Sequence, residues 1–148
     1  MRAVVQRVRE CSVTIAGNQH SGIGPGILVL LGIGREDTKA TAATLAQKIA
    51  AMRIFDDGSG KMNLSLVDVQ GSAMVVSEFT LYGDASKGNR PSYHEAAEAG
   101  MAEQLYGSFV EEMKRIAGPD KISTGVFRSM MDIALVNDGP VTLILNTP

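Results

Sequence analysis

The sequence predicts one α/β domain spanning residues 1–148, a mixed sheet arranged as two β layers with a single helical layer. Three observations lead there. β-rich runs lie near both ends of the chain, two uninterrupted apolar runs of strand length lie between them, and only two segments repeat their apolar residues with a helical period. At 148 residues, one core buries roughly two thirds of the surface that the unfolded chain exposes, so stability requires neither disulfides nor a structural metal.

The elements follow in order. Val4-Val5-Gln6-Arg7-Val8 and Ser12-Val13-Thr14-Ile15 read as two strands separated by Arg9-Glu10-Cys11, and Ala16-Gly17-Asn18-Gln19 supplies a turn. The run from Gly26 to Ile33 reads as a strand buried on both faces. From Thr38 the period changes: Ala42, Leu45, Ala46, Ile49 and Met52 form the stripe of an amphipathic helix, with Asp37 or Thr38 as its cap. Asp56-Asp57-Gly58-Ser59-Gly60 is a turn, and Ala73 to Leu81 a second buried strand. Ser92 stands three residues before Glu95, the spacing of a capping box, so a helix is predicted to open there, with an interruption at Gly100. Its stripe runs through Leu105, Phe109 and Met113 to a stop at Gly118-Pro119. Strands from Ile133 to Val136 and from Val141 to Leu145 flank a turn at Asn137-Asp138-Gly139-Pro140. The predicted order is β-β-β-α-β-α-β-β.

Composition narrows the function. Sixteen acidic against 14 basic side chains give a net charge of -2, which excludes nucleic-acid binding through a broad basic surface and leaves room only for a local patch. Cys11 alone cannot build a disulfide framework. His20 and His94 are far apart, and no CxxC or HxxxH spacing occurs, so no metal is expected. The longest apolar run falls well short of the roughly 20 residues that cross a bilayer. Arg2, Arg7 and Arg9 lie among the N-terminal apolar residues rather than before them, so neither a membrane span nor a signal peptide is expected, and the cytoplasm is the expected location.

An enzyme without metal or cofactor draws its reactivity from side chains or from its substrate. His94 in a turn, His20 in a Gly-rich hairpin region and Cys11 in a strand all read as structural. There is no GxSxG elbow or phosphate-cradling loop, and Pro25 breaks the glycine cluster from Gly22 to Gly26. Two stretches remain. In Ser77-Glu78-Phe79-Thr80-Leu81 an ionisable residue interrupts an apolar strand, and strict alternation places Glu78 and Thr80 on the face opposite Ser77 and Phe79. All four line one pocket only if the strand ends or bends there; otherwise the strand simply passes from core to edge. In Asn137-Asp138-Gly139-Pro140-Val141-Thr142 the Gly-Pro pair reads either as a hairpin loop or as a rigid pair of carbonyl acceptors, because proline has no N–H and glycine tolerates unusual backbone angles.

Together these stretches resemble the D-aminoacyl-tRNA deacylase family. Residues 77–81 are similar to its Ser-Gln-Phe-Thr-Leu motif, and residues 137–142 match its Asn-x-Gly-Pro-x-Thr motif. Gln6-Arg7-Val8, Arg53-Ile54-Phe55, Gly60-Lys61-Met62-Asn63-Leu64, Tyr82-Gly83-Asp84, Arg90-Pro91-Ser92 and Thr124-Gly125 before Phe127 follow in the expected order over nearly the whole chain. The resemblance implies the fold of that family and a cofactor-free homodimeric hydrolase. Its partner is D-aminoacyl-tRNA, whose ester between a D-amino acid and the terminal ribose it cleaves; glycine, including glycine mischarged on the alanine tRNA, is a second substrate.

It further implies that Gly139 and Pro140, joined by a cis bond, act as a chiral filter reaching into the other subunit's pocket, with Arg7 as buried support. Ser77 and Thr80 are then the candidate catalytic residues, while Glu78, Phe79, Phe127 and Met131 meet the aminoacyl group and terminal adenosine. No base is visible to activate Thr80, so it is expected to orient the substrate, with the ribose hydroxyl assisting the chemistry. Two positions depart from the family pattern: Glu78 replaces glutamine and Arg128 replaces a small residue. They are expected either to pair through parallel hydrogen bonds or to reach solvent separately. The competing function class is a dimer that binds tRNA ends or aminoacyl compounds without turnover; a general small-ester hydrolase lacks a nameable activated nucleophile.

Overall fold

A computed structural model describes residues 1–147 as eight strands and two helices. In chain order these are β1 (Arg2–Ile15), β2 (Asn18–Ile23), β3 (Gly26–Gly32), α1 (Lys39–Ala51), β4 (Phe55–Asp56), β5 (Met62–Leu64), β6 (Ser72–Ser77), α2 (Ala99–Ala117), β7 (Ile122–Thr124) and β8 (Asp132–Asn146). One mixed sheet runs β2-β1-β3-β6-β7, with β8 also on β1; β3, β6 and β7 are mutually parallel, whereas β1 is antiparallel to β2, β3 and β8. β4 and β5 form a separate small hairpin. No helix among the described residues is long and apolar enough to cross a membrane.

Alternation along the strands builds two cores. Val5, Val29 and Val75 pack on one face beneath Leu45 and Ile49 of α1 and Phe109 and Met113 of α2. Leu28, Met74 and Val76 point to the opposite face, where Val8, Cys11 and Val13 meet them with Ile133 and Leu135. Val5 and Cys11, which strict alternation would place on one face, therefore lie in different cores, and the register of β1 against β8 shifts on both sides of Val8. Arg9 and Glu10, both exposed, mark a bulge within one strand and not the break that their polarity suggested, because a bulge lets two successive residues face solvent while the ladder resumes beyond.

Several predicted boundaries change for similar reasons. The two C-terminal strands are one, β8, which carries the supposed turn as an internal bulge. β6 stops at Ser77, opposite Leu31 near the end of its partner β3, and the chain continues as a 3₁₀ turn over Phe79–Tyr82 rather than as strand to Leu81. α2 begins at Ala99, so the predicted capping box is not formed; Ser92 instead exchanges two 2.8 Å backbone hydrogen bonds with Asp84, and Gly100 sits in the first helical turn. Thr38 caps α1 in a reciprocal arrangement with Thr41. Asp37 is buried, accepting from the Met1 ammonium at 2.5 Å and from the Gly34 N–H at 2.7 Å. The short strands β4, β5 and β7 had no sequence signal strong enough to separate them from loops.

Candidate functional site

The parallel strands β3, β6 and β7 direct their carboxyl ends to the same side, the place where open α/β sheets bind ligands. A pocket of about 550 Å³ opens there. Its wall comprises the ends of β3 and β6, the 3₁₀ turn, the start of α2 and residues 127–131 after β7. Because β6 ends at Ser77, the alternation that would have separated neighbours is lost, and Ser77, Glu78, Phe79 and Thr80 all line the cavity, together with Phe127 and Met131. Six of the sequence-derived candidates thus converge.

Their settings differ. Phe79 is 59% exposed and meets the Tyr93 ring edge-on at 5.0 Å, forming an apolar lip. Phe127 leans on Tyr106, ring centres 6.0 Å apart, and the Tyr106 hydroxyl donates to the Val75 carbonyl at 2.9 Å. Burial pushes that phenol up to about 12, so it remains a donor at neutral pH. Met131 lies over Gly125: a Cβ there would stand 2.6 Å from the Met131 Sδ, so any larger residue would push that flexible side chain aside. The Val126 N–H points to the same sulfur at 3.4 Å.

Among the described residues, Glu78 is the one carboxylate and Arg128 the one cation lining the pocket. They do not form an ion pair within the chain among the described residues, so of the two expectations pairing within one subunit is not met. The Thr80 hydroxyl donates to Glu78 Oε1 instead, a local contact that the 3₁₀ turn brings about by placing residue 80 back beside residue 78. Arg128 is exposed and holds a left-handed backbone angle, φ +61°, a region where glycine, without a Cβ, is at less cost than any other residue.

Gly139, Pro140 and Arg7 form a second assembly, apart from the pocket of the same chain. Gln6 pairs with Thr142 and Val8 with Asn137, so two steps along β1 match five along β8 and the intervening residues bulge outward. Gly139, at φ +150°, and Pro140 are exposed on that bulge and joined by a cis peptide. A Cβ on Gly139 would stand 2.6 Å from the Val141 nitrogen. Arg7, 7% exposed, reaches under the bulge: its Nε donates to the Asp138 carbonyl at 2.9 Å and its Nη1 to the Ile54 carbonyl at 2.7 Å.

Sequence reasoning gave Asn137 no role, yet its side chain closes the bulge. Its Oδ1 accepts from the Val141 N–H at 2.9 Å and its Nδ2 donates to Thr142 Oγ1 at 3.2 Å, which in turn accepts from Gln6 at 3.1 Å. The available signal was the residue type: an asparagine side chain carries both a donor and an acceptor and commonly bonds nearby backbone in turns and bulges. His94 lies on the surface beside Arg35, and Cys11 is buried, its thiol pushed up to about 11 by burial. Neither lines the pocket.

Comparison with known proteins places this geometry. A profile of the family described as D-Tyr-tRNA(Tyr) deacylase matches residues 4–146. A D-aminoacyl-tRNA deacylase of Chlorobaculum tepidum is 53% identical over 148 residues, covering 100% of this chain and 98% of the relative. One from Syntrophobacter fumaroxidans is 53% identical over 147 residues, covering 99% and 97%. Among solved structures, the c-Myc DNA unwinding element binding protein superposes with a TM-score of 0.95 at 44% identity, covering 100% of this chain and 99% of the other.

Proposed function

The chain belongs to the D-aminoacyl-tRNA deacylase family of ester hydrolases, and on that premise we propose that it removes D-amino acids, and glycine mischarged on the alanine tRNA, from tRNA through a pocket completed by a second copy of itself. One observation carries the reading: Ser77, Glu78, Phe79, Thr80, Phe127 and Met131 converge on a pocket to which Gly139 and Pro140 of the same chain contribute nothing, while those two residues project from the surface on a braced bulge. A two-fold dimer brings the bulge of each subunit to the pocket of the other. The outer edge of β8 supports this arrangement, since β8 is paired only to β1 among the described residues and presents Val136 and Ile144 to solvent.

The chemistry needs little from the protein. Water attacks the ester carbon, the bond from that carbon to the ribose oxygen breaks, and the ribose oxygen departs with the proton that water gives up, relayed by the neighbouring ribose hydroxyl. We read Thr80 as orienting the ester; the Glu78 carboxylate that accepts from its hydroxyl is also the base that an attacking Thr80 would require, so the rate of Thr80→Val decides between the two roles. Selection is steric. All aminoacyl esters share an ammonium and a carbonyl, so a rigid backbone wall at Gly139 and Pro140 rejects an L side chain, tolerates a D side chain directed to solvent and admits glycine.

Deacylation time courses with D-, L- and glycyl-tRNA test the proposal. The D- and glycyl esters are expected to be cleaved and the L-ester spared, with Thr80→Val keeping much of the rate; loss of several orders of magnitude in folded Thr80→Val makes Thr80 a nucleophile. Binding of aminoacyl-tRNA without cleavage of any ester would establish the non-catalytic alternative.

A further inference from the structure

Phe79 and Thr80 reach the pocket only because the chain turns after β6, and a single 3₁₀ turn of four residues is too short to fix its own position. Its near end is tied to the sheet, the Glu78 N–H donating to the Leu31 carbonyl at 2.8 Å. Inside it the Leu81 N–H donates to the Glu78 carbonyl at 3.3 Å and the Gly83 N–H to the Thr80 carbonyl at 2.9 Å. Phe79 and Thr80 themselves are exposed. Tyr82 secures the far end. Its ring fills the space that side chains at Gly32 and Gly34 would take: a Cβ on Gly32 would stand 3.2 Å from Tyr82 Cδ2, and one on Gly34 would stand 2.6 Å from the hydroxyl oxygen and 2.9 Å from Cζ. Two residues without a Cβ thus clear a seat for the ring. Arg2 covers it. Paired with Gly32 across the ladder, Arg2 sets its guanidinium 4.5 Å from the ring centroid, and its Nη1 donates to the Leu81 carbonyl at 3.0 Å. Buried Asp37 accepts from the Gly34 N–H at 2.7 Å and so holds the seat itself.

Resting on the deacylase reading above, we infer that Tyr82 is a positioning residue for the reaction: wedged between the Arg2 guanidinium and the bare faces of Gly32 and Gly34, it sets where Thr80 stands in the pocket. Tyr82 and Arg2 do not line the pocket, so they act on the reaction through the turn. The leverage is short. Tyr82 is two residues from Thr80, and the carbonyl that Arg2 holds belongs to Leu81, between them. A turn released at this end keeps only its tie to Leu31 and its two internal bonds, and Thr80 then samples several placements in place of one. All of these contacts lie within one chain, so the seat is built before any second copy docks. The role is the same whether Thr80 orients the ester or attacks it, since both demand a fixed hydroxyl.

The test follows kcat and KM for D-aminoacyl-tRNA in variants of the full chain, with urea unfolding alongside. Tyr82→Leu removes the wedge, and its kcat is expected to fall roughly tenfold or more with KM within about twofold of the wild type, because a misplacement of about 1 Å costs rate rather than binding. Tyr82→Phe keeps the ring and is expected to retain kcat to within about twofold. Arg2→Leu, at an exposed position, is expected to lower kcat severalfold in the same sense. Ile49→Ala, which opens a cavity in the core under α1, is expected to lose stability while keeping kcat wherever it is folded. A wild-type kcat in folded Tyr82→Leu or, should that variant not fold, in Arg2→Leu overturns the assignment while leaving the deacylase reading intact. Equal losses in Tyr82→Phe and Tyr82→Leu, or in Ile49→Ala and Tyr82→Leu, do the same. Failure of the wild type to cleave D-aminoacyl-tRNA overturns both.

Discussion

A phenol is easily ionised in water and costly to ionise inside a protein, and this contrast makes Tyr106 a measurable feature of the fold. Its hydroxyl is buried against Val75, and burial raises its pKa from 10.0 to about 12. Tyr82, beneath β3 and near Asp37, is likewise raised to about 12, chiefly by burial and then by that carboxylate. The folded state therefore holds protons that the unfolded state has already lost between pH 10 and 12, so stability is fully present below pH 10 and declines as pH rises through that window. Urea unfolding from pH 9 to 11.5 is expected to show this decline. Tyr106→Phe should lower stability at neutral pH by about 1 kcal/mol, the net worth of one hydrogen bond, and make the alkaline decline shallower. An equally steep decline in that variant would show that Tyr106 is not responsible.

Among the elements, β8 concentrates the most unusual construction. A 15-residue strand that carries three more residues than its partner through the Gly139 region would lose register if nothing closed the bulge. Asn137 does so from within, its side-chain amide both donating to the Val141 carbonyl and accepting from the Val141 N–H as a backbone partner would, and Arg7 does so from β1 beneath. Asn137→Ala leaves the Val141 N–H and the Thr142 hydroxyl without this partner. We expect a loss of about 2 kcal/mol in chemical unfolding. If the bulge is the chiral filter, discrimination between D- and L-aminoacyl-tRNA should fall as well, even under conditions where the variant is fully folded. Full stability together with unaltered discrimination would remove Asn137 from the construction.

At the scale of the whole molecule, the exposed apolar surface is unevenly placed. Phe79 and Met130, at 59% and 92% exposure, border the pocket, and Ile144, at 73%, lies on β8. Exposed apolar groups at a pocket mouth and on a strand with one open edge mark contact surfaces. Sedimentation at micromolar concentration is expected to show a dimer, and Ile144→Lys should shift it toward monomer with loss of deacylation; a wild-type monomer that retains full chiral discrimination would refute the composite pocket. Net charge bears on the same scale. With an overall charge of -2, tRNA binding should weaken with salt only gently, since only a small basic set, Lys87, Arg90 and Arg128 among it, is expected to meet phosphates; a salt slope as steep as that of a large DNA-binding interface would contradict this.

Legibility in the sequence followed the range of the interactions. The stripe from Ala42 to Ile49, the stop at Gly118-Pro119 and the apolar interiors of β3 and β6 were readable because periodicity and backbone restriction act within a few residues. The motifs at 77–81 and 137–142 likewise identified the family, since side-chain identity in order is a property of the chain alone. What the sequence could not display was whether Arg9-Glu10 broke a strand or bulged it, whether Ser92 capped a helix or paired with Asp84, and whether Gly139-Pro140 turned a hairpin or interrupted one strand. Each of these depends on a partner brought close only by folding: β8 beside β1, Asp84 opposite Ser92, and Arg7 under Asp138. A local pattern specifies what a segment can form, and the hydrogen-bond partners available across the sheet decide which form leaves no buried polar group unpaired.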